Sequence, residues 1–312
     1  MDISLARSTA ATVRKPILAR LLPYLLIAPT LFGVFVFTLL PATRTIIDST
    51  FKPARIARDA PEFVGLENYI DLFDSSHYIG SRFTQILGNT FVFSLFSVGS
   101  SIPLGLLFAV LLNRRIRGLG WWRFSLFYPA LLPVIGAASI WAFMYSSTVG
   151  LINTVLRSFG GAGVDWIGNP NSVLFAVIAI DVWKQAGYYM IFFLAGLQGI
   201  PREIYEAAEL DGANDQQQFW SLTLPLLRRT ILFVLVIAFT FSFQTVEQLQ
   251  VLGQGQPGDR GNLLLYFIFQ NIGERRNWGY TNAMSVILAG ILLVFTISNF
   301  VFFERGREED GR

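Results

Sequence analysis

The 312-residue chain has no cysteine and a single histidine, His77, so a disulfide framework, a thiolate metal site and a cysteine nucleophile are excluded. Zinc and redox chemistry have little to be built from. Charge is scarce as well: Asp, Glu, Lys and Arg make up 14% of the residues, against about 25% in an ordinary soluble domain. No GxxxxGK[ST] loop occurs, which leaves the chain without the usual phosphate cradle for hydrolysing ATP. No internal repeat, low-complexity tract or soluble domain stands out along it.

What the chain does have is apolar length, with 53% hydrophobic and 15% aromatic residues. A bilayer core near 30 Å takes about 20 apolar residues, because a helix rises about 1.5 Å per residue. Residues 21–40, 88–112, 124–156 and 277–303 carry no charge, and each run is long enough. Two further runs are polar in places: 172–197 is interrupted by Asp181 and Lys184, and 230–246 is followed at once by Glu247. The predicted fold is therefore an all-α integral membrane protein with six transmembrane helices, at about 21–42, 88–112, 124–146, 172–198, 230–250 and 279–303. These form one domain over 21–304, with tails at 1–20 and 305–312. The first run is too long for a signal-peptide core, no small-x-small site follows Leu40, and Pro23 and Pro29 are expected to bend it.

The net charge of +3 does not point to nucleic acid, because its distribution follows the positive-inside rule. The loop between the second and third runs holds Arg114, Arg115, Arg117 and Arg123 with no acidic residue. Placing it inside makes both termini and the 199–229 loop cytoplasmic. Residues 43–86, with the turn-like Asp59-Ala60-Pro61, and the Gly-, Asn- and Pro-rich stretches 147–171 and 252–276 are then outer segments. Topology accounts for the arginines without a specific lipid partner, and Trp121 and Trp122 beside them read as interfacial anchors in membrane lipid.

The one substantial inner loop has readable local physics. Pro201 and Glu203 suit the first turn of a helix, predicted over 201–210. Asp211 and Gly212 form a break, with Asp211 as a cap for a second short helix that contains Phe219, Trp220 and Leu222. Ala207 and Ala208 add little bulk, so the first helix suits close docking against a partner, though a plain solvated connector explains it equally well.

Glu206-Ala207-Ala208, Gly212 four residues later, and Leu222-Thr223-Leu224-Pro225 together resemble the EAA motif of permease subunits in binding-protein-dependent ABC importers. Leu222 stands where that family usually has Ile. Trp183-Lys184, Gly187, the stretch from Phe193 to Gln198 and Ile200-Pro201 are similar to its sugar-transport branch, of the maltose, trehalose and glycerol-phosphate type. Residues 253–258 sit where that branch has a Gly-rich loop, from which Gln254 and Gln256 depart. Gly279-Tyr280 and Ala283-Met284-Ser285-Val286 are similar to its last span, and the resemblance runs roughly from Tyr24 to Phe303.

The resemblance implies a type I ABC importer permease fold with a cytoplasmic coupling loop at 199–229, located in the cell (inner) membrane. It implies a second homologous permease subunit, two ATPase subunits that bind ATP and Mg, and an extracytoplasmic substrate-binding protein. Glu206, Ala207, Ala208, Asp211, Gly212, Ala213 and Pro225 would then be ATPase-coupling residues. No residue of this chain would be catalytic, and the chain itself would hold no cofactor or metal.

Polar residues inside spans need a reason, since an ionised side chain at the bilayer centre costs about 2.5–3.5 kcal/mol even on insertion scales. Asp181 and Lys184, three apart on one helix face, could neutralise one another. Alternatively Lys184, with Trp183 and Tyr188, borders a substrate path. Gln244, Glu247 and Gln248 form a second cluster, with Gln244 and Gln248 four apart on one face near the outer end of the fifth span; it reads as a hydroxyl-binding site or a wetted helix end. Asn282 in the last span is explained by an interhelical hydrogen bond or by the same path. A membrane-embedded enzyme lacks a convergent set of acids, bases or metal ligands here. A secondary transporter should show an internal repeat and does not require the EAA loop. The expected function is carriage of a di- or oligosaccharide by an ATP-driven importer, with glycerol phosphate or a glycerophosphodiester as the alternative cargo.

Overall fold

The structure, a computed structural model, describes residues 17–53, 60–114, 117–274 and 277–309. Most of the expected N-terminal tail, Asp59 of the expected turn, Arg115 and residues 310–312 lie outside the described residues. Helix dominates because a chain in lipid must pair its own backbone groups.

The first long helix starts as α1 (Ile17–Val34), passes a π turn at Phe35–Leu39 and continues as α2 (Leu40–Asp48). It runs through Pro23 and Pro29. Its regularity is lost further on, just ahead of Pro41, whose missing N–H leaves a carbonyl one turn back without its usual donor. None of its apolar window is buried within this chain.

A two-residue ribbon, β1 (Phe51–Lys52) antiparallel to β2 (Glu62–Phe63), leads into α3 (Glu67–Phe73). Lys52 Nζ donates to Glu67 Oε1 at 2.7 Å and to Asp71 Oδ2 at 2.9 Å. Tyr280 Oη, at the start of the last long helix, donates to the same Asp71 oxygen at 2.7 Å. The ribbon's Phe51 carbonyl lies so close to Gly279 that a Cβ there would overlap it. This segment therefore clasps the start of the last long helix. Burial pushes the Asp71 carboxyl up, but the hydrogen bonds from Lys52 and Tyr280 outweigh it and hold the group below its ordinary value.

The second long helix, α4 (Gly80–Leu112), has 33 residues and starts well ahead of the expected residue 88. Its early polar turns hold residues 258–262: Arg82 Nε and Nη2 donate to Asp259 at 2.7 and 3.1 Å, Gln85 donates to Gly258 O, and Asn89 donates to three carbonyls. The third expected span, 124–146, is not one helix. α5 (Leu119–Leu131) and α6 (Val134–Met144) meet at an angle of 99°, because Leu132 and Pro133 are both extended. Pro133 has no N–H to continue α5 and disfavours helical geometry in the residue before it. A short helix, α7 (Leu151–Ser158), follows.

The fourth span is α8 (Val173–Gln198), packed along α4 through small residues. Gly105 lies under Ala186 O, where a Cβ would approach to 2.8 Å, and Ser97 and Ser101 are buried at the seam. Then come α9 (Arg202–Leu210), α10 (Asp215–Gln218), a π turn at Phe219–Thr223 and α11 (Leu224–Leu226). The fifth span is α12 (Arg228–Phe243) and α13 (Glu247–Val251), separated by a break. Residues 252–276, expected as an outer loop, contain a further helix, α14 (Leu264–Asn271), with Leu264, Tyr266, Phe267 and Ile268 buried. The last helix, α15 (Trp278–Glu309), continues through residues expected as a tail. Among the described residues five helices are long and apolar enough to cross a membrane, and the bent α5–α6 pair makes a sixth crossing if counted as one.

Three apolar clusters fix the helices. One joins α3, α4, α14 and α15 around Phe83, Phe267 and Met284. A second joins α4, α8 and α12 around Ala109, Met190 and Val234, and a third gathers Phe93, Tyr145, Ile180 and Leu249. The cavity described next opens where α6, α8, α12, α13 and α14 come together.

Candidate functional site

Four of the seven predicted path residues line one cavity of about 530 Å³: Lys184 from α8, and Gln244, Glu247 and Gln248 from the broken fifth span. Its wall is completed by Val134 at the start of α6, by Asp181 and Gln185 of α8, by Phe241, Thr245, Val246 and Gln250, and by Phe269 of α14. Gln244 and Gln248 do not stand on one helix face as expected. The helix ends after Phe243, Gln244 (φ −101°, ψ 16°) and Val246 (φ −131°, ψ −54°) leave helical geometry, and α13 restarts at Glu247. The break turns both side chains to the same space.

Asp181 and Lys184 make no direct ion pair among the described residues. Ser97 Oγ of α4 donates to Asp181 Oδ2, and that aspartate is 8% exposed. Lys184 Nζ donates instead to three carbonyls at the α5–α6 break: Pro129 O at 3.3 Å, Ala130 O at 3.1 Å and Leu132 O at 2.8 Å. An ammonium has three protons, so each has an acceptor. Gln248 differs. It is 3% exposed, and its Nε2 finds no acceptor among the described residues, so its donor is available to whatever fills the cavity.

The other three predicted path residues lie elsewhere. Trp183 packs edge-on against Trp141 with ring centroids 5.6 Å apart. Tyr188 packs against Phe192 and, at 6.1 Å, against Phe241, one residue removed from the cavity surface. Asn282 Nδ2 returns to Trp278 O of its own helix at 3.0 Å rather than reaching another helix. Gln185, Thr245 and Phe269 were not singled out in the sequence. Gln185 carried one signal, a second polar residue beside Lys184 within an apolar run; Phe269 carried none, because α14 reads as loop.

The 199–229 segment forms a helical hairpin. α9 has no buried residue, with Pro201 at its N-cap, and Glu206, Ala207, Asp211 and Gly212 are exposed while Ala208 and Ala213 are partly covered. Gly212 has φ +81°, its N–H bonds to Glu209 O at 3.0 Å, and the next N–H, of Ala213, reaches back to Ala208 O at 2.9 Å. That pair of bonds closes the helix with a left-handed residue, the conformation glycine adopts freely. The cap of the following helix is Asn214, not Asp211 as expected: Asn214 and Gln217 exchange side-chain to backbone bonds, each at 2.9 Å. Asp211 instead ends α9. Tyr205 and Thr223 join the two arms through their hydroxyls at 3.0 Å, and Pro225 is exposed in α11. At the tip, Leu210 is 89% exposed.

Residues 90–305 match the family described as the binding-protein-dependent transport system inner membrane component. The chain belongs to this family. It is 36% identical to the trehalose/maltose transport system permease protein MalF of Thermococcus litoralis, over 92% of this chain and 94% of that one. It is 32% identical to the sn-glycerol-3-phosphate transport system permease protein UgpA of Agrobacterium fabrum, over 92% and 96%. In fold it resembles a chain of the bacterial alginate ABC transporter solved in complex with an alginate pentasaccharide-bound periplasmic protein (TM-score 0.77, 22% identity, 91% and 94% covered). This inner membrane component is thus a multi-pass permease of an ABC importer, with the type I permease fold.

Proposed function

We propose that this permease carries an uncharged di- or oligosaccharide from an extracytoplasmic binding protein into the cytoplasm. A second permease subunit shares the pathway, and two partner ATPase subunits, which bind ATP and Mg, supply the energy. The cavity is the observation that carries the reading. Gln185, Gln244, Thr245 and Gln248 offer donors and acceptors for hydroxyl groups, and Phe241 and Phe269 offer apolar faces for a sugar's C–H surface. Of its charged lining, Asp181 and Glu247 are acidic, and the one cation, Lys184, has its protons on backbone carbonyls. A phosphate would meet no uncommitted positive charge among these residues. The similarity to the glycerol-phosphate permease makes sn-glycerol 3-phosphate the second reading.

Coupling belongs to the hairpin at 199–229, on the cytoplasmic side together with both termini. Glu206, Ala207, Ala208, Asp211, Gly212 and Ala213 present a small, acidic surface, and Leu210 presents an apolar tip that a groove on the ATPase would cover; Pro225 stiffens the returning arm. The test is co-purification from the native membrane, then uptake by the reconstituted complex with its binding protein. Recovery of a second permease and an ATPase, with saccharide uptake that excess sn-glycerol 3-phosphate leaves unchanged, is the expected result. Competition by the phosphate would replace the substrate assignment, and recovery without an ATPase would remove the assembly.

A further inference from the structure

We infer that Lys184 is a positioning residue that latches the break in the third span, and that it does not itself bind the cargo. The break creates a problem that the lipid cannot solve. Pro133 has no N–H to offer Pro129 O, which keeps only a 3.3 Å bond from the Leu132 N–H, and the 99° bend takes the N–H groups of α6 away from the carbonyls of Ala130 and Leu132. Those are the carbonyls that Lys184 Nζ reaches, across a separation of 52–55 residues in the chain. A helix C-terminus carries a partial negative charge as well as unpaired acceptors, so an ammonium suits it on both counts. Lipid offers these carbonyls no donor of its own.

A second contact aligns the latch. One turn further along α8, Gly187 lies against α5 so closely that a Cβ would overlap Leu126 O. Together the two residues fix α5 on α8 and hold the start of α6, where Val134 forms part of the cavity wall. Asp181 does not take the ammonium: no ion pair joins the two among the described residues, and Ser97 donates to Asp181 Oδ2. The consequence for transport, that the latch shapes the cargo cavity, rests on the proposed pathway; the latch itself does not.

The chain lacks cysteine, so two labels can be placed cleanly on it in the assembled complex once any cysteines of its partners are replaced. Gly120 of α5 has nothing within 4 Å of an added Cβ, and Phe143 of α6 is 64% exposed. Spin labels on G120C and F143C would be about 35 Å apart along a straight helix and about 20 Å apart at the observed bend. Pulsed dipolar spectroscopy should give the short distance in the parent. Lys184→Met should broaden the distribution and move its mean outward by about 5 Å or more, and Lys184→Arg, which keeps charge and donors, should restore the short distance. If K184M does not assemble, Lys184→Gln, with a shorter two-proton amide, should give an intermediate shift. An unchanged distribution in whichever of these variants assembles overturns the latch. Were Lys184 a cargo ligand, K184M would raise KM for uptake with the distance unmoved, and that outcome also overturns it. A wrong cargo assignment would leave the distances untouched.

Discussion

At Gly212 the requirement is conformational and not spatial, because nothing lies within 4 Å of an added Cβ while φ is +81°. A β-branched residue held there is strained by about 1–2 kcal/mol, whereas Asn tolerates the left-handed region. Gly212→Val should therefore insert normally but lower uptake per ATP hydrolysed by about tenfold, and Gly212→Asn should retain most of it. Uptake and ATPase rates measured together check this, and wild-type coupling in G212V would remove the hairpin from the mechanism. Gly212 was legible in the sequence because a glycine after an Asp at the end of a helix pattern has a local cause. Lys184 was not. Its partners are backbone carbonyls, which carry no side-chain signature, and the sequence offered only the nearer carboxylate of Asp181. Asn214 was overlooked as a cap because Asp211 met the same local rule three residues earlier.

Among elements, the long uniform helices were the readable part: α4, α8 and α15 follow from unbroken apolar runs. The broken ones were harder. A Leu132-Pro133 step inside an apolar run has the composition of a kinked span as much as of two helices, and the 99° angle depends on Lys184 and Gly187 being present on α8. α14 was read as loop because its apolar residues are too few to cross a bilayer and its neighbours are Gly, Asn and Gln; the packing of Phe267 against α4 and α15 decides its place. The α5–α8 contact gives a direct test. Gly187→Leu should destabilise the protein by about 1–3 kcal/mol through overpacking. Gly88→Ala, in α4 with nothing within 4 Å of its Cβ, should be neutral or stabilising by up to about 1 kcal/mol. Thermal unfolding of the purified complex in one detergent compares them, and equal midpoints would contradict the close contact.

For the molecule as a whole, the clasp of Lys52, Asp71 and Tyr280 makes stability depend on pH. Asp71 titrates below its ordinary 3.8 in the folded chain, so the unfolded chain takes up that proton first as pH falls. Its contribution is full above the unfolded value and is lost as pH drops through the folded one. Lys52 shifts the opposite way: burial pushes it down, but the hydrogen bonds to Glu67 and Asp71 win and hold it above 10.5. Its share is full below that value and is lost as pH rises through the folded one. The difference in thermal midpoint between the parent and Asp71→Asn should thus be constant from about pH 5 to pH 9 and shrink below about pH 4. A difference that persists undiminished at acid pH would show that the carboxylate is not what holds the clasp. The pairing was not legible in the sequence, because it joins residues as distant as Asp71 and Tyr280.

The length of α4 sets one further property. Its 33 residues span about 50 Å, well beyond a hydrocarbon core of about 30 Å. The surplus includes the polar turns with Arg82, Gln85 and Asn89, which carry residues 258–262 on the helix itself. A bilayer a few Å thicker or thinner would meet a different level of the same continuous rod, and the loop would rise or sink with the helix instead of being pulled from it. The loop would keep its shape in membranes of different acyl-chain length.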